Sequence, residues 1–332
     1  MLIKNYQMTF FCFLIMGTIL AVSANSWFTC WLGLEINLMG LIPLILFKLN
    51  TSSTEAAIKY FLVQAMASVF LIFFSCFEVY MMNLITASNL NIIIFIALAT
   101  KAGLAPFHFW FPQVMMTIPW IHCIILLTWQ KIAPFILLSY FSSKYMIYAM
   151  VSISALVGAY GGLNQLNLKI ILTYSSIAHS SWMLMLSSIS IFFWMNYFMV
   201  YTIISLSIII PLMKFNLILL QDIKTTKMNI LSKLSLISSL LSLGGMPPFL
   251  GFTAKFLALL ASIPMFSLYI ISILILSSLL SLFYYMKLIY SFMFILNKEL
   301  NFPQKNLVKN MNIWASISIF CNLSIPLFIL FF

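Results

Sequence analysis

Arginine is absent from this 332-residue chain, and acids are nearly so: five carboxylates stand against sixteen lysines, giving a formal net charge of +11. Charged residues make up 6% of the sequence, where an ordinary soluble domain carries about 25%. That deficit excludes a soluble fold. The missing arginine also argues against a nucleic-acid partner, since arginine supplies the planar bidentate contacts and no basic patch here is interleaved with aromatics. Cys12, Cys30, Cys76, Cys123 and Cys321 are odd in number, sit in apolar runs and show no C-x-x-C spacing, so they read as small hydrophobes and not as ligands of zinc or an iron–sulfur cluster. No nucleotide fingerprint, phosphate loop or nucleophile–base pair is recognisable, so no cofactor is expected on this chain. Wholesale use of lysine in place of arginine fits an AT-rich, organellar coding sequence. A cleavable targeting segment is not evident either: residues 8–24 lack a basic n-region and a small-residue cleavage site, and read as a first span.

What is abundant is apolar surface, at 64% of all residues. A spanning helix needs about 20 apolar residues. Spans are expected at 8–24, 26–47, 55–82, 91–116, 119–141, 145–163, 167–188, 191–213, 230–262, 265–296 and 312–331. This is an all-α polytopic membrane fold of about eleven helices in one transmembrane domain over 1–332. Lysines supply a check, because they collect on one face of the membrane. With the N-terminus on side one, Lys4, Lys48, Lys59, Lys169, Lys214, Lys224, Lys227, Lys233, Lys298, Lys305 and Lys309 lie there, and only Lys144 lies on side two. The remainder, Lys101, Lys131, Lys255 and Lys287, fall within spans.

A lysine at mid-membrane depth costs about 2.5–3.5 kcal/mol on insertion scales, so Lys101, Lys131 and Lys255 call for a use. Lys287, toward the basic end of its span, can snorkel to the interface. Lys101 precedes Ala105-Pro106-Phe107-His108, where proline removes a backbone donor and breaks the helix. Gly244-Gly-Met-Pro247-Pro248-Phe249 does the same ahead of Lys255. Helix breaks at depth are tolerated only where freed polar groups meet protein or water. Discontinuous helices near 105–108 and 244–249, five spans apart, point to an inverted-repeat transporter fold, with repeats over about 1–141 and 145–296 and a last helix at 312–331. Glu35 is either a carboxyl neutralised by burial or a partner for an intramembrane lysine. His179 sits among serines that could line a wet cavity; a satisfied core histidine is the alternative. His122, close to a span end, reads as interfacial. Ser52 and Glu55 have the spacing of a capping box at the start of the third span, and Glu55 can pair with Lys59 one turn on. Glu35, Lys101, Lys131, His179 and Lys255 form an inventory suited to moving protons and not to breaking bonds.

The stretches WLGLEIN (31–37), STEAAIKYFL (53–62), KAGLAPFHFWFP (101–112), LLTWQKIAP (126–134), GGLNQ (161–165) and LSLGGMPPFLGF (241–252) resemble the subunit 2 family of mitochondrial NADH:ubiquinone oxidoreductase. This is the antiporter-like membrane subunit of respiratory complex I in its short, animal, insect-like form. The resemblance covers most of residues 18–291 and implies eleven spans, the bacterial counterparts having three more at the N-terminus. It further implies that Glu35 and Lys101 form a charge pair, that Lys131 is the central lysine and Lys255 the distal one of a hydrophilic axis, and that His108 and His179 belong to the proton relay. NADH, FMN, iron–sulfur clusters and ubiquinone would bind elsewhere in the complex. Expected partners are sister antiporter-like and small core subunits of the membrane arm, accessory subunits and lipids such as cardiolipin. The expected location is the mitochondrial inner membrane, with the N-terminus in the matrix. The chain departs from the family pattern at Ala254-Lys255-Phe256 and at Ser180-Ser181 after His179. A stand-alone or Mrp-type cation/proton antiporter shares the fold; the truncated N-terminus and organellar composition favour complex I.

Overall fold

The structure, a computed structural model, describes residues 5–46, 50–81, 87–141, 143–225, 228–296 and 308–323. Lys4, Lys48, Lys227, Lys298 and Lys305 of the expected basic face, and the end of the span expected at 312–331, lie outside the described residues. Among the described residues the regular elements are all helices; extended pairing is limited to an isolated bridge between Asn167 and Leu219. The chain folds as two compact units, Met1–Met150 and Val151–Phe332.

The first unit holds α1 (Asn5–Val22), α2 (Trp27–Ile45), α3 (Thr51–Met81), α4 (Ala87–Ala102), α5 (Trp110–Thr117), α6 (Trp120–Leu127), α7 (Trp129–Leu138) and the start of α8 (Lys144–Gly162). α2 opens on a capping box in which Ser26 Oγ accepts from the Thr29 N–H and the Ser26 N–H donates to Thr29 Oγ1, satisfying donors a helix start leaves open. Leu34, Leu38, Leu41 and Ile45 bury one face of α2, while Phe28, Leu32 and Met39 stay exposed on another. A helix apolar on both its packed and its open faces is built for lipid and not for water. α1 lies along α2, α3 receives α2, α4 and α5, and α7 packs on α4, α6 and α1.

The second unit holds the rest of α8, then α9 (Leu168–Ile189), α10 (Ile191–Lys214), the single turn α11 (Asp222–Thr225), α12 (Ile230–Gly244), α13 (Leu250–Ser262), α14 (Leu268–Leu296) and α15 (Val308–Leu323). α9 is buried along nearly its whole length, against α10, α13 and α14. Asn167 caps it through a 3.0 Å bond from the Lys169 N–H. α12 packs on α10, α13, α14 and α15. Serine hydroxyls inside these helices donate to the carbonyl three residues back, as Ser235 does to Ser232 and Ser239 to Leu236, which satisfies them without water.

Six described helical stretches are long and apolar enough to cross a membrane: Trp27–Ile45, Thr51–Phe77, Trp120–Leu138, Lys144–Gly162, Ile191–Lys214 and Leu268–Met293. Apart from the single turn α11, the described helices overlap the expected spans, and two of those spans are broken where proline predicts it: α4 stops at Ala102 and α5 begins at Trp110, and α12 gives way to α13 across residues 245–249. A further interruption, at Thr128 between α6 and α7, is not announced by proline. Thr128 (φ −115°, ψ −74°) directs both its N–H and its Oγ1 at the Ile124 carbonyl, at 3.0 and 2.7 Å, a back-bond that bends helices.

Two local expectations are corrected, and two lysines assigned to the basic face prove to be buried. α3 is capped not by Ser52 and Glu55 but by Asn50 and Ser53, whose hydroxyl accepts from the Asn50 N–H at 3.1 Å and donates to its carbonyl at 2.8 Å; Glu55 instead binds Lys59. His122 is buried, because the first turn of α6 is folded in beside Trp120 and Cys123, which are buried as well. Lys169 is buried because residues 218–220 are laid over the start of α9 by bonds from the Leu168 N–H to Ile218 and from the Leu220 N–H to Leu166. Lys233 is buried on the packed face of α12.

Candidate functional site

In the first unit Lys101 occupies the last turn of α4, and the break follows at once. The Gly103 N–H returns to Thr100 and the Leu104 N–H to Ala99, while the Trp110 indole N–H donates to the Thr100 carbonyl at 3.1 Å and ties the far side of the break back to the helix end. The terminal carbonyls of a helix carry partial negative charge, so a cation in this turn is placed where its charge is favoured. Lys101 shares a small recess with Tyr60, Gln64, Gln130 and Lys131. Lys131 is 2% exposed and its ammonium lies 5.9 Å from the centre of the Phe111 ring, within range of a cation–π attraction. No ion pair within 4.0 Å joins Glu35 to Lys101; among the described residues Lys59 and Glu55 form a pair at that range. His108 is buried in the break, its ring stacked 4.6 Å from Phe109, and is not part of the recess wall.

In the second unit Lys255 lies five residues past the start of α13, and its side chain runs back to the end of α12. Its Nζ donates to the Leu243 carbonyl at 3.1 Å and the Gly244 carbonyl at 3.0 Å. The fold-back depends on two glycines. Gly245 has φ +83°, and its N–H closes the helix on Leu241 and Ser242, the left-handed cap that glycine favours. At Gly251 a Cβ would stand 1.6 Å from the Ser242 carbonyl oxygen. Lys255, His179, Ser175, Ser281 and Tyr285 share a small recess. His179 Nδ1 is 2.8 Å from the Tyr197 hydroxyl.

The structure thus brings Lys101 to Lys131 in one recess and Lys255 to His179 in another, and leaves His108 apart from both. The serines flanking His179 are not a free polar stripe: Ser176, Ser180 and Ser181 donate to Thr173, Ile177 and Ala178 of their own helix. Tyr60, Gln64 and Tyr197 were not singled out by the sequence. Gln64 is a lone amide in an apolar run, which is a signal; the tyrosines have none, since their partners lie on other helices. Among the described residues no cluster of three or more His, Cys, Asp or Glu is placed to hold a metal ion. Buried ammonium groups beside an imidazole and hydroxyls can hold and exchange protons.

The family described as NADH:quinone oxidoreductase/Mrp antiporter, transmembrane, matches residues 24–283. NADH-ubiquinone oxidoreductase chain 2 of Anopheles gambiae is 41% identical over 297 residues, covering 88% of this chain and 87% of that one. The same-named chain of Locusta migratoria is 38% identical over 303 residues, covering 89% and 88%. Among solved structures, a chain of respiratory complex I from Thermus thermophilus with bound aureothin superposes with a TM-score of 0.86 at 22% identity, over 98% of this chain and 79% of that one; at that identity the likeness speaks for the fold.

Proposed function

The chain belongs to the NADH:quinone oxidoreductase/Mrp antiporter family, grouping with its NADH-ubiquinone oxidoreductase chain 2 members, and on that premise we propose that it is a membrane-arm subunit of mitochondrial complex I that takes part in proton translocation coupled to electron transfer from NADH to ubiquinone. The observation that carries the proton role is the burial of Lys101, Lys131 and Lys255, each no more than 7% exposed, inside an apolar chain. In this reading Lys101 and Lys131, sharing one recess, disfavour each other's charge, so protonation of one eases release from the other. Glu35 biases that exchange toward Lys101. Lys255 and His179 form a second station, and His108 sits at the first break. Redox groups and the NADH and quinone sites belong to other subunits. The chain crosses the inner membrane eleven times as two inverted repeats, with its N-terminus in the matrix, and contacts sister antiporter-like subunits, small core and accessory subunits, and lipids such as cardiolipin.

Native electrophoresis of solubilised mitochondrial membranes, with in-gel NADH oxidation and mass spectrometry of the bands, tests the assignment. The chain is expected in the large NADH-oxidising band. Recovery only in a small, NADH-inactive species would support a stand-alone antiporter instead. Within the assembled complex, Lys131→Met is expected to lower protons moved per electron without lowering assembly; an unchanged ratio would defeat the relay.

A further inference from the structure

Asn37 on α2 and Gln130 on α7 exchange a pair of hydrogen bonds. Asn37 Nδ2 donates to Gln130 Oε1 and Gln130 Nε2 donates to Asn37 Oδ1, both at 2.9 Å. Asn37 is 4% exposed. Each amide thus spends one donor and the acceptor on the other, closing a ring between α2 and α7. A single hydrogen bond leaves helices free to roll about it; two antiparallel bonds fix both their separation and their relative rotation.

The position of this ring gives it consequences. Gln130 lies immediately before Lys131, and α7 starts only at Trp129, just past the interruption at Thr128. The first turn of α7 is therefore not held by an unbroken helix behind it. Asn37 lies two residues after Glu35, which puts the two side chains about 200° apart around α2. Holding Asn37 toward α7 therefore turns Glu35 to the opposite side of α2. The recess shared by Lys101 and Lys131 has Gln130 in its wall. The amides are neutral, so their bonds do not open or close with a neighbouring proton as an ion pair would.

We propose that the Asn37–Gln130 pair is a positioning latch that holds the first turn of α7, and with it Lys131 in the first recess, against α2. The inference rests on the proton-relay reading above. It is tested in the assembled complex with two double variants. N37L/Q130L removes both amides and leaves neither orphaned; N37Q/Q130N exchanges them and preserves the pair. Assembly is read from the NADH-oxidising band on native gels, and protons moved per electron are read in sealed vesicles, with K131M alongside. N37L/Q130L is expected to assemble and oxidise NADH but to show at least half of the pumping deficit of K131M, and N37Q/Q130N to recover the wild-type ratio. Wild-type pumping by N37L/Q130L, an exchange variant no better than the apolar one, or loss of assembly at an unchanged ratio would each overturn the latch. A K131M complex that pumps normally would remove the relay itself and is read independently of both doubles.

Discussion

In the proposed relay Lys255 has two jobs that substitution can separate. Its ammonium would carry the charge of the second recess, and its N–H groups close the carbonyls of Leu243 and Gly244 that the end of α12 leaves open. Open carbonyls in an apolar setting cost about 1–3 kcal/mol each. Lys255→Met loses charge and donors together; Lys255→Gln keeps a donor on a shorter stem. If charge is what the site needs, both variants lower protons moved per electron, while the amount of assembled complex falls more for Met than for Gln. Equal pumping in Gln and wild type would reduce Lys255 to a helix cap. The three lysines were legible because any charge inside a long apolar run stands out. What surrounds them was less so. Tyr197, bonded to His179, is 18 residues away on the next helix, and nothing in a linear sequence marks that meeting. His122 was misplaced for a related reason: distance from a helix end along the chain says nothing about which way the side chain turns, and His122 turns inward.

At the level of helices, the breaks are what put these residues within reach of one another. Both long breaks were visible as Ala105-Pro106 and Gly244-Gly-Met-Pro247-Pro248, since proline cannot donate within a helix and glycine accepts a left-handed turn. The interruption at Thr128 was not, because its cause is a hydroxyl competing for the Ile124 carbonyl, and most threonines that make such a bond sit in intact helices. Return of α13 onto the end of α12 depends on Gly251, whose missing Cβ makes room for the Ser242 carbonyl at what would be 1.6 Å. No rotamer relieves a clash with backbone. Gly251→Ala should therefore push the two half-helices apart at a cost of about 3 kcal/mol or more, and lower the assembled complex by at least about tenfold. Quantitative mass spectrometry of the native band reads this directly. Normal abundance of Gly251→Ala would mean that the two half-helices do not pack this closely in the membrane.

Over the whole molecule, the distribution of lysine argues for sidedness. Lys144 alone falls on side two of the eleven-span arrangement, against eleven lysines on side one, and cytoplasmic or matrix-side loops are the ones that retain lysine. Adding or removing one central span would mix the two groups. The coincidence of the described helices with those spans supports the arrangement without fixing which face is which, because length and apolarity are the same read from either side. A reporter can fix it. A cysteine placed at Thr225, in the polar segment between α10 and α12, should react with a membrane-impermeant maleimide in inverted inner-membrane vesicles and be protected in intact mitoplasts. A cysteine at Ser143, between α7 and α8, should do the reverse. The five native cysteines set the background to subtract: Cys30 and Cys123 are buried, Cys321 is half-buried, and Cys12 and Cys76 are exposed on apolar helices. Reaction of both reporters from one side would require an even number of crossings between residues 143 and 225, and so would undo the odd count that the lysines and the paired breaks jointly demand. Reaction of each from the wrong side would keep the count and invert the chain, placing the basic face away from the matrix and removing the physical reason for its lysines.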